Sequence, residues 1–142
     1  MAELRGIIRL RRFELDEKKR VLAELHRLAD ELDLERARLD QAIEAEKQVA
    51  AGAAGTGPGL AFGSYVQAAL GRRKRVEETR RDLDGKIETA MEAVRAAFSN
   101  VKTLEQAQLD RDARASQKRA RLEGAQLDEI ALNGFRRRST DV

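Results

Sequence analysis

Residues 51–63 read AGAAGTGPGLAFG, and their composition decides how the rest of the chain folds. Five of the ten glycines (Gly52, Gly55, Gly57, Gly59, Gly63) and the only proline, Pro58, fall inside this stretch. Glycine loses the most backbone freedom in a helix, and proline lacks the N–H a helix interior needs, so a cluster of both marks a turn. The segment separates a first helical arm, 4–50, from a second, 64–135, which is followed by a short C-terminal tail. The whole of 1–142 reads as one coiled-coil domain.

Both arms carry an apolar seam with a 3.5-residue period. In the first, the grid passes through Leu4, Ile8, Leu15, Leu22, Leu25, Ala29, Leu32, Leu39, Ile43 and Ala50. Charge interrupts it only at Arg11, Lys18, Arg36 and Glu46. In the second, the grid from Phe62 through Val66, Ala69, Val76, Leu83 and Ile87 to Ala90, Val94, Ala97, Val101 and Leu104 is apolar apart from Arg73 and Arg80. Positions between are mostly charged, which gives the narrow stripe of a coiled coil. After Leu104 the grid meets Gln108, Arg111, Ala115, Lys118, Leu122, Ala125, Glu129 and Leu132, and the seam breaks up.

Length accounts for that break. At 1.5 Å of rise per residue the first arm is about 70 Å long and the second, taken from Phe62 to Asn133, about 108 Å. Folded back about a turn centred near Thr56, Leu4 falls opposite Gln108, and nothing beyond has a partner within the chain. Intramolecular pairing should stop where the apolar seam stops. The expected fold is therefore all-α, an antiparallel two-helix coiled-coil hairpin with a longer second helix and a C-terminal overhang. On the overhang, spacings such as Asp110–Arg114 and Arg119–Glu123 predict i,i+4 ion pairs. It closes with Leu127, Ile130, Ala131, Leu132 and Phe135, then Arg136-Arg137-Arg138, an apolar cluster that predicts a docking surface.

Composition agrees. Ala, Glu, Lys, Leu and Arg supply 83 of 142 residues, the usage of long helices. Five aromatics and no Trp leave little for a globular core, and the scarcity of turn residues elsewhere argues against a sandwich or barrel. Without cysteine there is no disulfide, thiolate chemistry or cysteine zinc site. No apolar run is long enough for a membrane span, and residues 1–20 hold no signal-peptide core, so a cytoplasmic protein is expected.

Catalytic patterns are missing. His26, the only histidine, sits one position past the seam and reads as a solvent-facing helix residue. Carboxylates are spread along polar faces. Gly55-Thr56-Gly57-Pro58-Gly59 completes neither a phosphate-binding loop nor a dinucleotide fingerprint. Twenty-eight basic and twenty-five acidic residues interleave to a net charge of +3, unlike the one-sided basic face of a nucleic-acid binder. The run Arg72-Arg73-Lys74-Arg75 spans about 300° of a helix and reads as a solvated face beside the turn. Neither an enzyme nor a cofactor or metal protein is expected.

Two stretches resemble a known family. Phe62-Gly63-Ser64-Tyr65-Val66-Gln67 resembles the aromatic-then-aliphatic entry into the second helix of the FliJ family, stalk proteins of the bacterial flagellar type III export apparatus. Gln126-Leu127-Asp128-Glu129-Ile130-Ala131, followed by Phe135-Arg136-Arg137, resembles that family's ending. The likeness extends over the whole chain in length, arm proportions and turn position. It implies a coiled-coil stalk whose paired termini enter the hexameric ring of the export ATPase. The same stalk contacts the cytoplasmic domain of the export-gate membrane protein, and in some cases export chaperones. The protein would then be cytoplasmic and peripherally associated with the membrane-embedded apparatus. Carried onto this chain, the family's gate stripe falls on Tyr65, Ala69, Arg72 and Val76. Ring docking falls on Arg5, Arg9 and Arg12 with Asp128, Glu129, Phe135 and Arg136. An injectisome stalk, or a coiled-coil adaptor or chaperone without an ATPase, are the alternative readings.

Overall fold

A computed structural model of the chain describes the backbone of residues 2–52 and 57–140, and the side chains of 3–52 and 62–140. The chain forms two helices, α1 (Ala2–Gly52, 51 residues) and α2 (Gly57–Thr140, 84 residues). They pack against each other as an antiparallel hairpin with the second helix the longer. Leu-, Ala-, Glu- and Arg-rich sequence without internal proline favours both helices intrinsically. Glu3 in the first turn of α1, and Arg137 and Arg138 in the last turn of α2, oppose the respective ends of the helix dipole.

The glycine segment is a shorter interruption than its composition predicts. Residues 57–63, expected in the turn, are the first turns of α2. Pro58 is the second residue of that helix, where a missing N–H is harmless because the first four have no partner inside the helix. Each glycine there costs about 1 kcal/mol relative to Ala. Extending a helix already nucleated adds a hydrogen bond per residue without a new nucleation cost, and the extension wins. The turn centre near Thr56 lies outside the described residues, as does the end of the tail. At the far end α2 passes the predicted stop at residue 135 and continues to Thr140. Residues 136–140 hold no proline to end it, and Thr140 Oγ1 donates to the carbonyls of Arg136 (2.9 Å) and Arg137 (3.0 Å).

The residues group into two compact units, a central one (Phe13–Phe98) and a terminal one (Met1–Arg12 with Ser99–Val142). In the central unit Ala29, Leu83 and Ile87 form the buried cluster, with Leu22, Leu25, Leu32 and Met91 packed against it. Leu15, Ala69, Val76 and Ala90 are buried along the same line. In the terminal unit Leu4, Ile8 and Val101 are buried and Leu104 is half-buried. Every one of these buried apolar residues occupies a position of the 3.5-residue grid, and among the described residues no polar or charged one is buried. The charged interruptions Arg11, Lys18, Arg36 and Glu46 are exposed, whereas Arg73 and Arg80 are half-buried. A long arginine lays its aliphatic stem along the seam while its head group stays wet.

Ion pairs fix the register in the central unit. Arg80 Nε meets Asp33 Oδ1 at 3.0 Å, Arg36 Nη2 meets Glu77 Oε1 at 3.2 Å, and Arg73 Nη1 meets Asp40 Oδ1 at 3.0 Å. Partners on α2 descend as those on α1 ascend, step for step, and every pair is centred between Thr56 and Gly57. The centre expected from the sequence was Thr56. In the terminal unit Arg12 donates to Glu105 Oε1 through Nε (3.3 Å) and Nη2 (3.1 Å). Exposed pairs of this kind contribute about 0.2–1 kcal/mol each, so they select register more than they supply stability.

Candidate functional site

Beyond Gln108, α2 loses its cover. From residue 109 to 140 only Ala115, Gly124 and Gly134 are even half-buried, and every other residue is exposed. Leu127, Ile130 and Phe135 stand 66, 67 and 68 % exposed. Leu127, Ile130, Ala131 and Phe135 are spaced i, i+3, i+4 and i+8, which puts them on one face of the helix. Arg136, Arg137 and Arg138 follow immediately. The i,i+4 pairs predicted here do not form: Asp110 instead accepts from Gln106 Nε2 (3.1 Å), and neither Asp110–Arg114 nor Arg119–Glu123 is bridged. Gln106, like Glu105 beside it, lies where α1 still runs alongside, and amide-to-carboxylate i,i+4 bonds serve the helix about as well as exposed ion pairs.

The ring-docking set divides in two. Arg5 and Arg9 are exposed on the first turns of α1, and Arg12 is exposed but held by Glu105. Asp128, Glu129, Phe135 and Arg136 lie on the uncovered part of α2, all exposed. The fold does not bring the two groups together. From Gln108, the position expected opposite Leu4, to Asp128 is about 30 Å of helix rise.

The gate stripe is only half available. Tyr65 is 40 % exposed and Arg72 is exposed, but Ala69 (4 %) and Val76 (8 %) are buried against α1. The physical reason is periodicity. A stripe spaced 4-3-4 along α2 is also the spacing of a hairpin seam, and positions 69 and 76 belong to the seam. Of the basic run beside them, Arg72, Lys74 and Arg75 are solvated, while Arg73 bridges to Asp40 and donates through Nε to Glu77 (3.3 Å). His26 is exposed.

Two ion-paired groups are electrostatically perturbed. The side-chain bond from Arg12, then that from Lys102, holds the Glu105 carboxyl below its ordinary range. The bond to Asp33, with help from Asp84, raises Arg80 further above its already high value. These are structural contacts on solvated faces.

Sequence reading did not foresee that the two sides of the seam differ. On one side, Leu32 and Val76 are flanked by the charged pairs Asp33–Arg80 and Arg36–Glu77, with Arg80 also bridged to Asp84. On the other lies an apolar groove lined by Val21, Leu25 and Leu28 of α1 and by Gly85, Thr89 and Ala93 of α2. The signal for it was present: Val21 and Leu28 each precede a seam position, and Gly85, Thr89 and Ala93 are small residues at i,i+4 spacing.

Among the described residues no group of three His, Cys, Asp or Glu is placed to hold a metal ion, and no helix is long and apolar enough to cross a membrane. The grooves open to solvent. Compared with known protein families, curated proteins and solved structures, the chain matches none.

Proposed function

We propose that this chain is a stalk of the FliJ type in a bacterial flagellar type III protein export apparatus, acting in the cytoplasm against the membrane-embedded gate. The observation that carries the reading is the uncovered end of α2, which exposes Leu127, Ile130 and Phe135 ahead of three arginines. The resemblance of residues 62–67 and 126–137 to that family adds to it.

In this reading the rod contributes contacts and no chemistry. An asymmetric helix inside a six-fold ATPase ring touches the subunits unequally, so their nucleotide states differ in energy and hydrolysis proceeds in order. Only contacts that differ between states bias them. Phe135 and Ile130 supply apolar contact, while Asp128, Glu129 and Arg136 supply charge that differs around the helix. Arg5 and Arg9 extend the charged surface along α1. Tyr65 and Arg72 face outward for the gate, and Ala69 and Val76 hold the helix beneath them.

Removal of residues 109–142 is expected to abolish stimulation of the export ATPase while circular dichroism still reports a helical hairpin. Full stimulation by the shortened chain overturns the proposal. In a pull-down from native cytoplasm, recovery of an export ATPase or gate protein supports it. Recovery of other proteins alone supports the adaptor reading.

A further inference from the structure

We propose that the C-terminal end of α2 from one copy of this chain docks, as a third helix, into the apolar groove of the central unit of a second copy. The groove is distinct from the ATPase and gate contacts, whereas the docked tip is the one assigned to the ATPase ring.

The groove has the form a helix requires. Val21 and Leu28 are exposed apolar residues on one wall. Gly85, Thr89 and Ala93 keep the other wall low, and a Cβ added at Gly85 meets nothing within 4 Å. Thr89 directs its hydroxyl to the Gly85 carbonyl (3.1 Å) and so asks nothing of an incoming helix. An apolar face with i, i+3, i+4 anchors is what fills such a groove. The chain carries one: Leu127, Ile130, Ala131 and Phe135, uncovered in its own fold.

Charge selects this occupant and sets its direction. Asp82 of α2 lies midway along the groove. Lys18 and Lys86 border it toward the start of α1, and Glu31 and Glu35 border it toward the turn. None of these four forms an ion pair or side-chain hydrogen bond with another described residue, although the opposite side of the seam is laddered with pairs. The C-terminal segment has the complementary order, Asp128 and Glu129 before the apolar face, Arg136, Arg137 and Arg138 after it. From Glu129 to Arg136 is about 10 Å of helix rise, the same as from Leu28, which lines the groove with Lys86, to Glu35. Laid parallel to α1, the segment places its carboxylates on the lysines and its arginines on the glutamates. Complementary patches of this kind fix register and orientation. The docked segment includes Phe135 and Arg136, so self-association and ring binding compete for one tip.

The test uses the full chain alone, without any ATPase, and therefore stands or falls apart from the stalk reading. Sedimentation equilibrium is expected to show reversible self-association that weakens as salt rises. Glu31→Lys with Glu35→Lys should weaken it roughly tenfold, and Arg136→Glu with Arg137→Glu and Arg138→Glu by a similar factor. Combining the two sets should restore association, because each reversed patch again meets its opposite. All these residues are exposed, so helicity by circular dichroism stays unchanged. Carbodiimide coupling in a mixture of isotope-labelled and unlabelled protein should join Lys86 or Lys18 of one copy to Asp128 or Glu129 of another. A chain that stays monomeric at all concentrations overturns the proposal. So does a combined variant that fails to re-associate, and so do crosslinks confined to single chains or to two C-terminal segments.

Discussion

The central unit and the free end of α2 are built from the same kinds of residue, yet one buries its apolar side chains and the other displays them. Leu83 and Ile87 sit in a seam against Ala29, Leu22 and Leu25. Leu122 and Leu132 continue the same 3.5-residue grid and are exposed. Local helix propensity is similar in both regions, so the difference comes from whether α1 lies opposite. Apolar side chains stabilise a helix chiefly through what they pack against.

Charge placed on the grid should expose that contrast most strongly. Leu83→Asp puts an unpaired carboxylate into the seam and is expected to cost at least about 4 kcal/mol, enough to melt the central unit. Leu122→Asp should change global stability by no more than about 0.5 kcal/mol. Thermal melting followed by circular dichroism reads both, and equal effects would mean that the end of α2 is covered after all.

Glycine substitutions separate local from tertiary terms. An added Cβ meets nothing within 4 Å at Gly71 or at Gly124. Replacing either with Ala favours its helix by up to about 1 kcal/mol. For Gly71→Ala this should appear as a higher midpoint of the cooperative transition. For Gly124→Ala it should appear as added helical signal with the midpoint unmoved. A shift of the midpoint by the second variant would show that the free end melts together with the rest.

The smallest effect belongs to the Arg12–Glu105 contact. Glu105 has its folded-state value pulled below the ordinary 4.5, so its ion pairs favour folding above that value. The contribution is lost as pH falls through the lowered folded value, where both states bind the proton. Glu105→Gln should therefore lower the melting temperature slightly at pH 7 and make no difference at strongly acid pH. Hydrogen exchange near residues 4–12 and 101–105 localises the change. A difference that persists in acid would show that packing, not charge, sets the contribution of Glu105.

Much of this was legible in advance because a heptad seam is a one-dimensional signal. Among the described residues all ten buried apolar ones lie on a grid read from spacing alone, and the end of cover after Gln108 followed from arm lengths. The glycine segment was misjudged because composition reports propensity, about 1 kcal/mol per glycine, and not the cooperativity of a long helix that extends through Gly57, Gly59 and Gly63. For a related reason only half of the gate stripe is exposed. Tyr65, Ala69, Arg72 and Val76 share a spacing that suits either a partner or the hairpin itself, and only packing shows that Ala69 and Val76 face α1.

By itself the sequence determined two helices, their antiparallel return and a second helix too long to be paired, because periodicity and length are properties of the chain. Only the tertiary structure decided which flank of the seam closes with the Asp33–Arg80 and Arg36–Glu77 bridges and which stays open as the Val21–Leu28 groove. That choice depends on how residues far apart in sequence, on two helices, are rotated toward each other, and a pattern read along one helix does not contain that rotation.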